Sequence, residues 1–175
     1  SVVGRVTPAG QPFYNSYRGV GGSLYAMAAL QNGGTVFEWV RGVLGASWPE
    51  MYAAAFETGA ETGEIVFLPY VTGERAPLLD PGASAAWAFL RLGATRAQMI
   101  RAVFEGVALA VRDAWDALQQ TGVSAERMLL TGGGSSDPRW QRMLADAVGL
   151  PLVPAQDLGS ATLGAAWLGG LAAGH

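Results

Sequence analysis

The run RMLLTGGGSSDPRWQRMLADAVGLPLVP, from Arg127 to Pro154, constrains the fold more than any other stretch of the chain. RMLLTG has the length and apolarity of a buried strand, three glycines follow, and the next segment repeats its apolar residues at helical spacing. Asp137 before Pro138 supplies an N-cap and a pre-set first helical residue. Gly149 and Pro151 stop that helix at Val148. PLVP is a second short strand, and Ser160 to Ala172 a final helix. Strand, turn, helix, strand and helix with short connections predict a largely parallel sheet covered by helices.

In such a fold the turn from Gly132 to Ser136 opens at the carboxyl ends of the strands, where α/β sheets bind ligands. Absent side chains let a ligand approach the backbone, and the helix N-terminus adds partial positive charge. A tight connection with no ligand fits the same pattern, so the pattern alone leaves both readings open. GGGSSD departs from GxGxxG spacing, and Leu150 to Pro154 carries no acidic residue. Both features tell against a Rossmann dinucleotide site or a donor-dependent enzyme of that type.

Upstream the order is also mixed. PFYNSY and SLYAMAAL read as strands joined by the turn RGVGG. QNGG ends the second strand, and a helix runs from Thr35 to about Leu44. A shorter helix begins near Pro49 in MYAAAFETG. EIVFLPY is a buried strand, VTGERAPLLDPGAS a loop and AWAFLRL another short strand. Thr95 and Gln98 form a capping box that opens the longest helix. Met99, Ile100, Val103, Phe104, Val107, Val111, Trp115 and Leu118 make one apolar stripe along it. Glu105 reads as a solvated i,i+4 partner of Arg101 in preference to a catalytic carboxylate.

Composition removes several chemistries. There is no cysteine, so no disulfide or thiolate metal site can form. The single histidine is the last residue, His175, which leaves no Ser-His-Asp triad and no HExxH zinc site. All eleven basic residues are arginine, which excludes a Walker A lysine and a Schiff base. A net charge of −3 gives no reason to expect nucleic acid or an anionic membrane as partner. Half of the residues are hydrophobic and only 14% charged, against about a quarter in ordinary domains. That excess predicts an apolar face meeting another domain or subunit, and so self-association as a homodimer. The uncharged stretch from Leu158 to Gly174 suits a close-packed buried helix better than a membrane span.

Four co-linear segments carry a resemblance: FLPYVTGERAPLLDPGA, RAVFEGVALAVRDAWDAL, TGGGSSDPRWQRMLADAVGLPLVP and ATLGAAWLGGLAAG. Together they closely resemble the C-terminal domain of the FGGY carbohydrate kinases, the xylulokinase-like branch in particular, from about Gly21 onward. The resemblance implies an α/β, actin-like (ribonuclease-H-like) ATPase domain, a mixed sheet with helices on both faces, spanning residues 1–175. It implies a cytoplasmic enzyme that transfers the γ-phosphoryl group of Mg·ATP to a sugar hydroxyl, with a pentulose such as xylulose as substrate. Gly132, Gly133 and Gly134 fall where the family passes its adenine and phosphates, and Gly34 where backbone meets phosphate. Gly33 opens the same turn, ahead of Glu38 and Trp39. Asp137 falls near the nucleotide but is equally needed as an N-cap; Glu38 reads better as a surface helix residue.

Phe89 departs from the pattern, standing where relatives usually have glycine. The family's catalytic base, magnesium-binding aspartate and most sugar contacts precede the first residue, so the resemblance implies a missing N-terminal domain and SVV as the remnant of a first strand. No catalytic residue and no metal ligand is therefore expected in this chain. Alone, it is expected to fold but to phosphorylate no sugar. The alternative is a non-catalytic nucleotide-binding module of the same actin-like superfamily.

Overall fold

The computed structural model describes residues 2–5, 15–19, 22–57, 63–155 and 160–174. β1 (Val2–Arg5), β2 (Asn15–Arg18) and β3 (Leu24–Ala28) form a three-stranded antiparallel sheet in the order β1-β3-β2. Tyr17 opposes Tyr25 in the ladder, and their rings stack with centroids 5.4 Å apart. Of the turn expected at 18–22, the flanks close through Gly19 N–H to the Ser23 carbonyl, with Gly22 at φ 83°. Val20 and Gly21 lie outside the described residues, as do Pro12 to Tyr14 of the expected first hairpin strand.

Helices α1 (Gly34–Val43) and α2 (Trp48–Phe56) follow. Ser47 and Glu50 form a capping box at the start of α2, which the sequence reading placed correctly without identifying its cap. β4 (Val66–Leu68) and β5 (Ala86–Ala88) pair antiparallel and pack against α3 (Arg96–Gln119). The Thr95–Gln98 capping box opens α3 as expected. β6 (Met128–Leu130) runs through a short 3-10 turn (Gly133–Ser135) into α4 (Pro138–Val148). β7 (Leu152–Pro154) pairs parallel with β6, and α5 (Ser160–Ala172) ends the described chain.

α3 organises the core. Its first half packs Ile100, Val103, Phe104 and Val107 against Val36, Phe37, Met51, Phe67 and Trp140. Phe104 sits at the centre of an aromatic cluster, with the rings of Phe37, Tyr52, Phe56 and Trp140 at 4.6 to 5.4 Å between centroids. Its second half packs Ala114, Trp115 and Leu118 against Val2, Ala26, Ala28 and Val123. Gly106 lets α3 lie directly on β4: a β-carbon there would stand 2.3 Å from the carbonyl oxygen of Phe67. The outer side of α3 carries the ion pairs Arg101–Glu105 and Arg112–Asp116, both at 2.7 Å and spaced i,i+4. Arg101 also donates to the Ala55 carbonyl and lies over the Phe56 ring, so Glu105 is a partner held in place.

Several expectations are corrected. The described strands lie in three small sheets, two of them antiparallel, and only β6–β7 is parallel. Local strand–turn–helix grammar at the C-terminal end could not report the hairpin pairing at the other. The segment 64–70 is half buried: β4 spans three residues, with Phe67 inward and Val66 and Leu68 exposed, because only one face meets α3. The next strand stops at Ala88 because Phe89 takes φ 62°, a left-handed conformation favourable only to glycine and asparagine-like residues. Phe89 is 68% exposed, so this departure from the expected glycine leaves its ring outside the packing. α5 is not buried: Leu163, Trp167, Leu168 and Leu171 are all exposed, since no described element covers it. No helix among the described residues is long and apolar enough to cross a membrane.

Candidate functional site

A cavity of about 760 Å³ lies between α1, α2 and the turn that leads into α4. That volume falls within the roughly 300–1,000 Å³ usual for ligand pockets. Two glycine turns about a hundred residues apart in sequence both line it: Gly33–Gly34, and Gly133–Gly134 with Ser136. Phe37, Trp48, Tyr52, Val107 and Trp140 line the same cavity and supply an apolar, largely aromatic surface.

The helix starts of the domain differ in how they are capped. α2, α3 and α4 begin with side-chain caps from Ser47, Thr95 and Asp137. α1 begins at Gly33 with no side-chain cap, and the 3-10 turn after Gly132 has none either. The first amides of an α-helix have no partner within the helix. At α1 no capping side chain stands between them and the cavity, where Gly33 and Gly34 offer backbone alone. A β-carbon at Gly33, Gly34 or Gly133 would meet nothing within 4 Å, so these positions leave open space in front of the main chain. Gly134 is constrained by packing instead, as its β-carbon would sit 3.3 Å from Nε1 of Trp140.

Asp137 and Gly132 stand just outside the cavity. Gly132 holds φ 93°, which makes it the position in the triple glycine that requires glycine for backbone reasons. Gly133, where a positive φ is an alternative source of strain, does not have one. The Asp137 carboxylate accepts from the N–H groups of Arg139 and Trp140 and pairs with the Arg139 guanidinium at 2.7 Å. The Arg139 hydrogen bond is the main reason its carboxyl is held below the usual aspartate range. Arg139 is raised above its ordinary value by the same contact and by Glu57. Asp137 lines an adjoining cavity of about 460 Å³ with Pro49, Glu57 and Arg139, and Trp48, Tyr52 and Ser136 border both spaces. The Tyr52 hydroxyl is raised chiefly by burial, with Asp137 adding to the effect.

Glu38 is the one carboxylate among the described residues that lines the main cavity, and it pairs with Arg41 at 2.7 Å. Among the described residues no three His, Cys, Asp or Glu side chains converge to hold a metal. Apart from this paired carboxylate and Ser136, the lining is glycine backbone and apolar, largely aromatic surface. Chemically it suits a flat ring system joined to an anion.

Residues 3–173 match the C-terminal domain model of the FGGY family of carbohydrate kinases. The chain belongs to that family. The FGGY domain is 33% identical over 152 residues to a xylulose kinase from Escherichia coli K12, covering 85% of this chain and 31% of the relative. It is also 33% identical over 160 residues to a glycerol kinase from Myxococcus xanthus, covering 89% and 32%. The crystal structure of ligand-bound xylulose kinase from Lactobacillus acidophilus superposes with a TM-score of 0.84 at 27% identity, over 95% of this chain and 34% of that one. The fold is thus the actin-like ATPase fold of these kinases, and the chain spans about a third of the length of the relatives it matches.

Of the sequence-selected residues, the FGGY domain brings Gly34, Gly133 and Gly134 to one cavity and leaves Gly132 and Asp137 at its edge. Sequence reasoning missed the aromatic wall. Trp48 and Tyr52 carried one available signal: the Ser47–Glu50 capping box fixes the start of α2 and puts both on its first two turns, and both line the cavity with the glycine turn of α1.

Proposed function

We propose that this domain holds ATP for a sugar kinase, which transfers the γ-phosphoryl group in line to a sugar hydroxyl. The convergence of the two glycine turns on one cavity, beside a helix start that lacks a side-chain cap, carries the reading. In it, the backbone of Gly33, Gly34, Gly133 and Gly134 receives the phosphates, and Trp48, Tyr52 and Trp140 border the base. ATP supplies the transferable phosphoryl group, and catalysis of such transfers rests on positioning and charge stabilisation. The magnesium ion that accompanies ATP and the base that deprotonates the sugar are assigned, on the family resemblance, to the N-terminal domain; among the described residues no three His, Cys, Asp or Glu side chains converge to hold a metal.

A pentulose such as xylulose is the substrate in this reading, supported by the likeness to xylulose kinases in sequence and structure. The exposed apolar side chains of α5 support a homodimer. The test of nucleotide binding is titration of the chain with a fluorescent ATP analogue, N-methylanthraniloyl-ATP, with displacement by ATP. Saturable binding displaced by ATP is expected, and none at millimolar concentrations refutes the reading. For the substrate, a coupled assay of the whole protein against ketopentoses, hexonates and polyols decides: good turnover of glycerol beside none of any pentulose refutes xylulose.

A further inference from the structure

Among the described residues, Asn32 and Glu74 are the two buried polar side chains, 2% and 3% exposed, and they bond to each other. Neither touches the cavity. Glu74 has no cation partner among the described residues; both oxygens accept N–H groups. Oε1 accepts from the backbone of Gln31 at 2.8 Å and of Arg75 at 2.7 Å, and Oε2 from Nδ2 of Asn32 at 3.1 Å. Asn32 uses its other capacity on the same loop. Its Oδ1 accepts from the N–H and hydroxyl of Thr72, and Nδ2 also donates to the Gly73 carbonyl. Gln31 Nε2 donates to the Thr72 carbonyl, and Ala76 N–H to that of Ala29. No bond in this set is local in sequence apart from that to Arg75; each joins segment 29–32 to segment 72–76.

The second segment is itself held rigidly. Glu74 N–H bonds to the Asp80 carbonyl at 2.8 Å, closing the loop on itself. Gly73 holds φ 70°, and a β-carbon there would stand 2.5 Å from the Pro81 carbonyl oxygen. Segment 29–32 leads with no intervening residue into Gly33 and Gly34. That turn has no side-chain cap of its own, so its position is set from behind.

We infer that Glu74, acting through Gln31 and Asn32, is the positioning residue for the Gly33–Gly34 turn of the nucleotide cavity. The inference rests on the nucleotide reading for what the turn binds, but not for the fastening itself. A carboxylate is required because three donors converge on two oxygens. Glutamine offers one acceptor oxygen, and its NH₂ would oppose either Asn32 Nδ2 or the two backbone N–H groups.

The test is Glu74→Gln in the chain, read by amide hydrogen exchange and by N-methylanthraniloyl-ATP titration. Val123→Ala, which loosens the cluster around the second half of α3, serves as the reference for general destabilisation. The expected result is exchange about tenfold faster at Gln31, Thr72 and Val36, with the core amides of α3 within about twofold of wild type. The nucleotide Kd rises about tenfold with it, and Val123→Ala leaves that Kd unchanged. Unchanged exchange at Gln31 and Val36, or acceleration of α3 in step with them, overturns the inference. Local acceleration with an unaltered Kd overturns its functional half. Local acceleration in a chain whose wild type binds no nucleotide upholds the fastening and refutes the nucleotide reading.

Discussion

Replacing Gly106 by alanine tests how tightly α3 lies on β4. The added β-carbon would stand 2.3 Å from the Phe67 carbonyl oxygen and 3.2 Å from its carbon. An ordinary carbon–oxygen contact is about 3.3 Å, so helix and strand must separate by about 1 Å. The obstacle is backbone in a strand paired with β5, which cannot rotate away as a side chain would. Overpacking of this kind costs about 1–3 kcal/mol, and a rigid obstacle puts Gly106→Ala near the upper end. Helix propensity returns about 1 kcal/mol, since alanine is preferred to glycine in a helix. The net loss is about 2 kcal/mol, which for a chain of this size lowers Tm by about 4–8 °C. Gly42→Ala near the end of α1 is the paired control, because a β-carbon there meets nothing within 4 Å. It should be neutral or stabilising by about 0.5 kcal/mol. Both variants are compared by thermal unfolding followed by circular dichroism. If Gly106→Ala melts at or above the temperature of Gly42→Ala, α3 does not rest on β4 through this residue and the reasoning fails.

Three further outcomes are expected. Phe89→Gly should stabilise the chain by about 0.5–1 kcal/mol in urea unfolding, because it removes left-handed strain while giving up an exposed ring; a loss of stability refutes the strain argument. Gly133→Val should leave Tm within about 2 °C, a shift of under 1 kcal/mol, and weaken N-methylanthraniloyl-ATP binding at least about tenfold, because its side chain enters open space on the cavity wall; equal affinities remove the turn from the site. Asp137→Ala should cost about 1 kcal/mol at pH 7 through the lost N-cap. Its carboxyl is depressed in the folded chain, so this contribution is present above the unfolded value near 3.9 and disappears as pH falls through the folded value. The gap between wild type and variant should therefore narrow as pH falls below about 4, and a gap that does not narrow there contradicts the assignment.

What the sequence made legible was local. The Thr95–Gln98 box, the Asp137–Pro138 start and the Gly149 stop each depend on residues within one turn of each other, and each is where it was expected. The Arg101–Glu105 pair follows from helical spacing alone. The glycine turns were visible as turns, and family resemblance supplied the ligand proposed for them. The cavity between them was not legible, because Phe37, Trp48, Tyr52 and Trp140 meet only when three helices pack. Nor could pattern distinguish Gly132 from Gly133 as the strained residue, since φ is set by how the turn enters α4. α5 misled for a related reason. Its composition reports that it wants a partner, while burial depends on whether one is there.

The length of α3 has a mechanical consequence. At 1.5 Å per residue its 24 residues make a rod about 36 Å long. One half packs in the cluster that holds Phe37 and Trp140 and sends Val107 to the cavity, and the other packs beneath the first sheet. No break in the helix separates these regions, so the packing under β1–β3 and the Val107 side of the cavity sit on one rod. A tilt of about 5° at one end carries the other through about 3 Å. Any closing movement over a bound molecule that keeps this rod straight must therefore pivot outside α3.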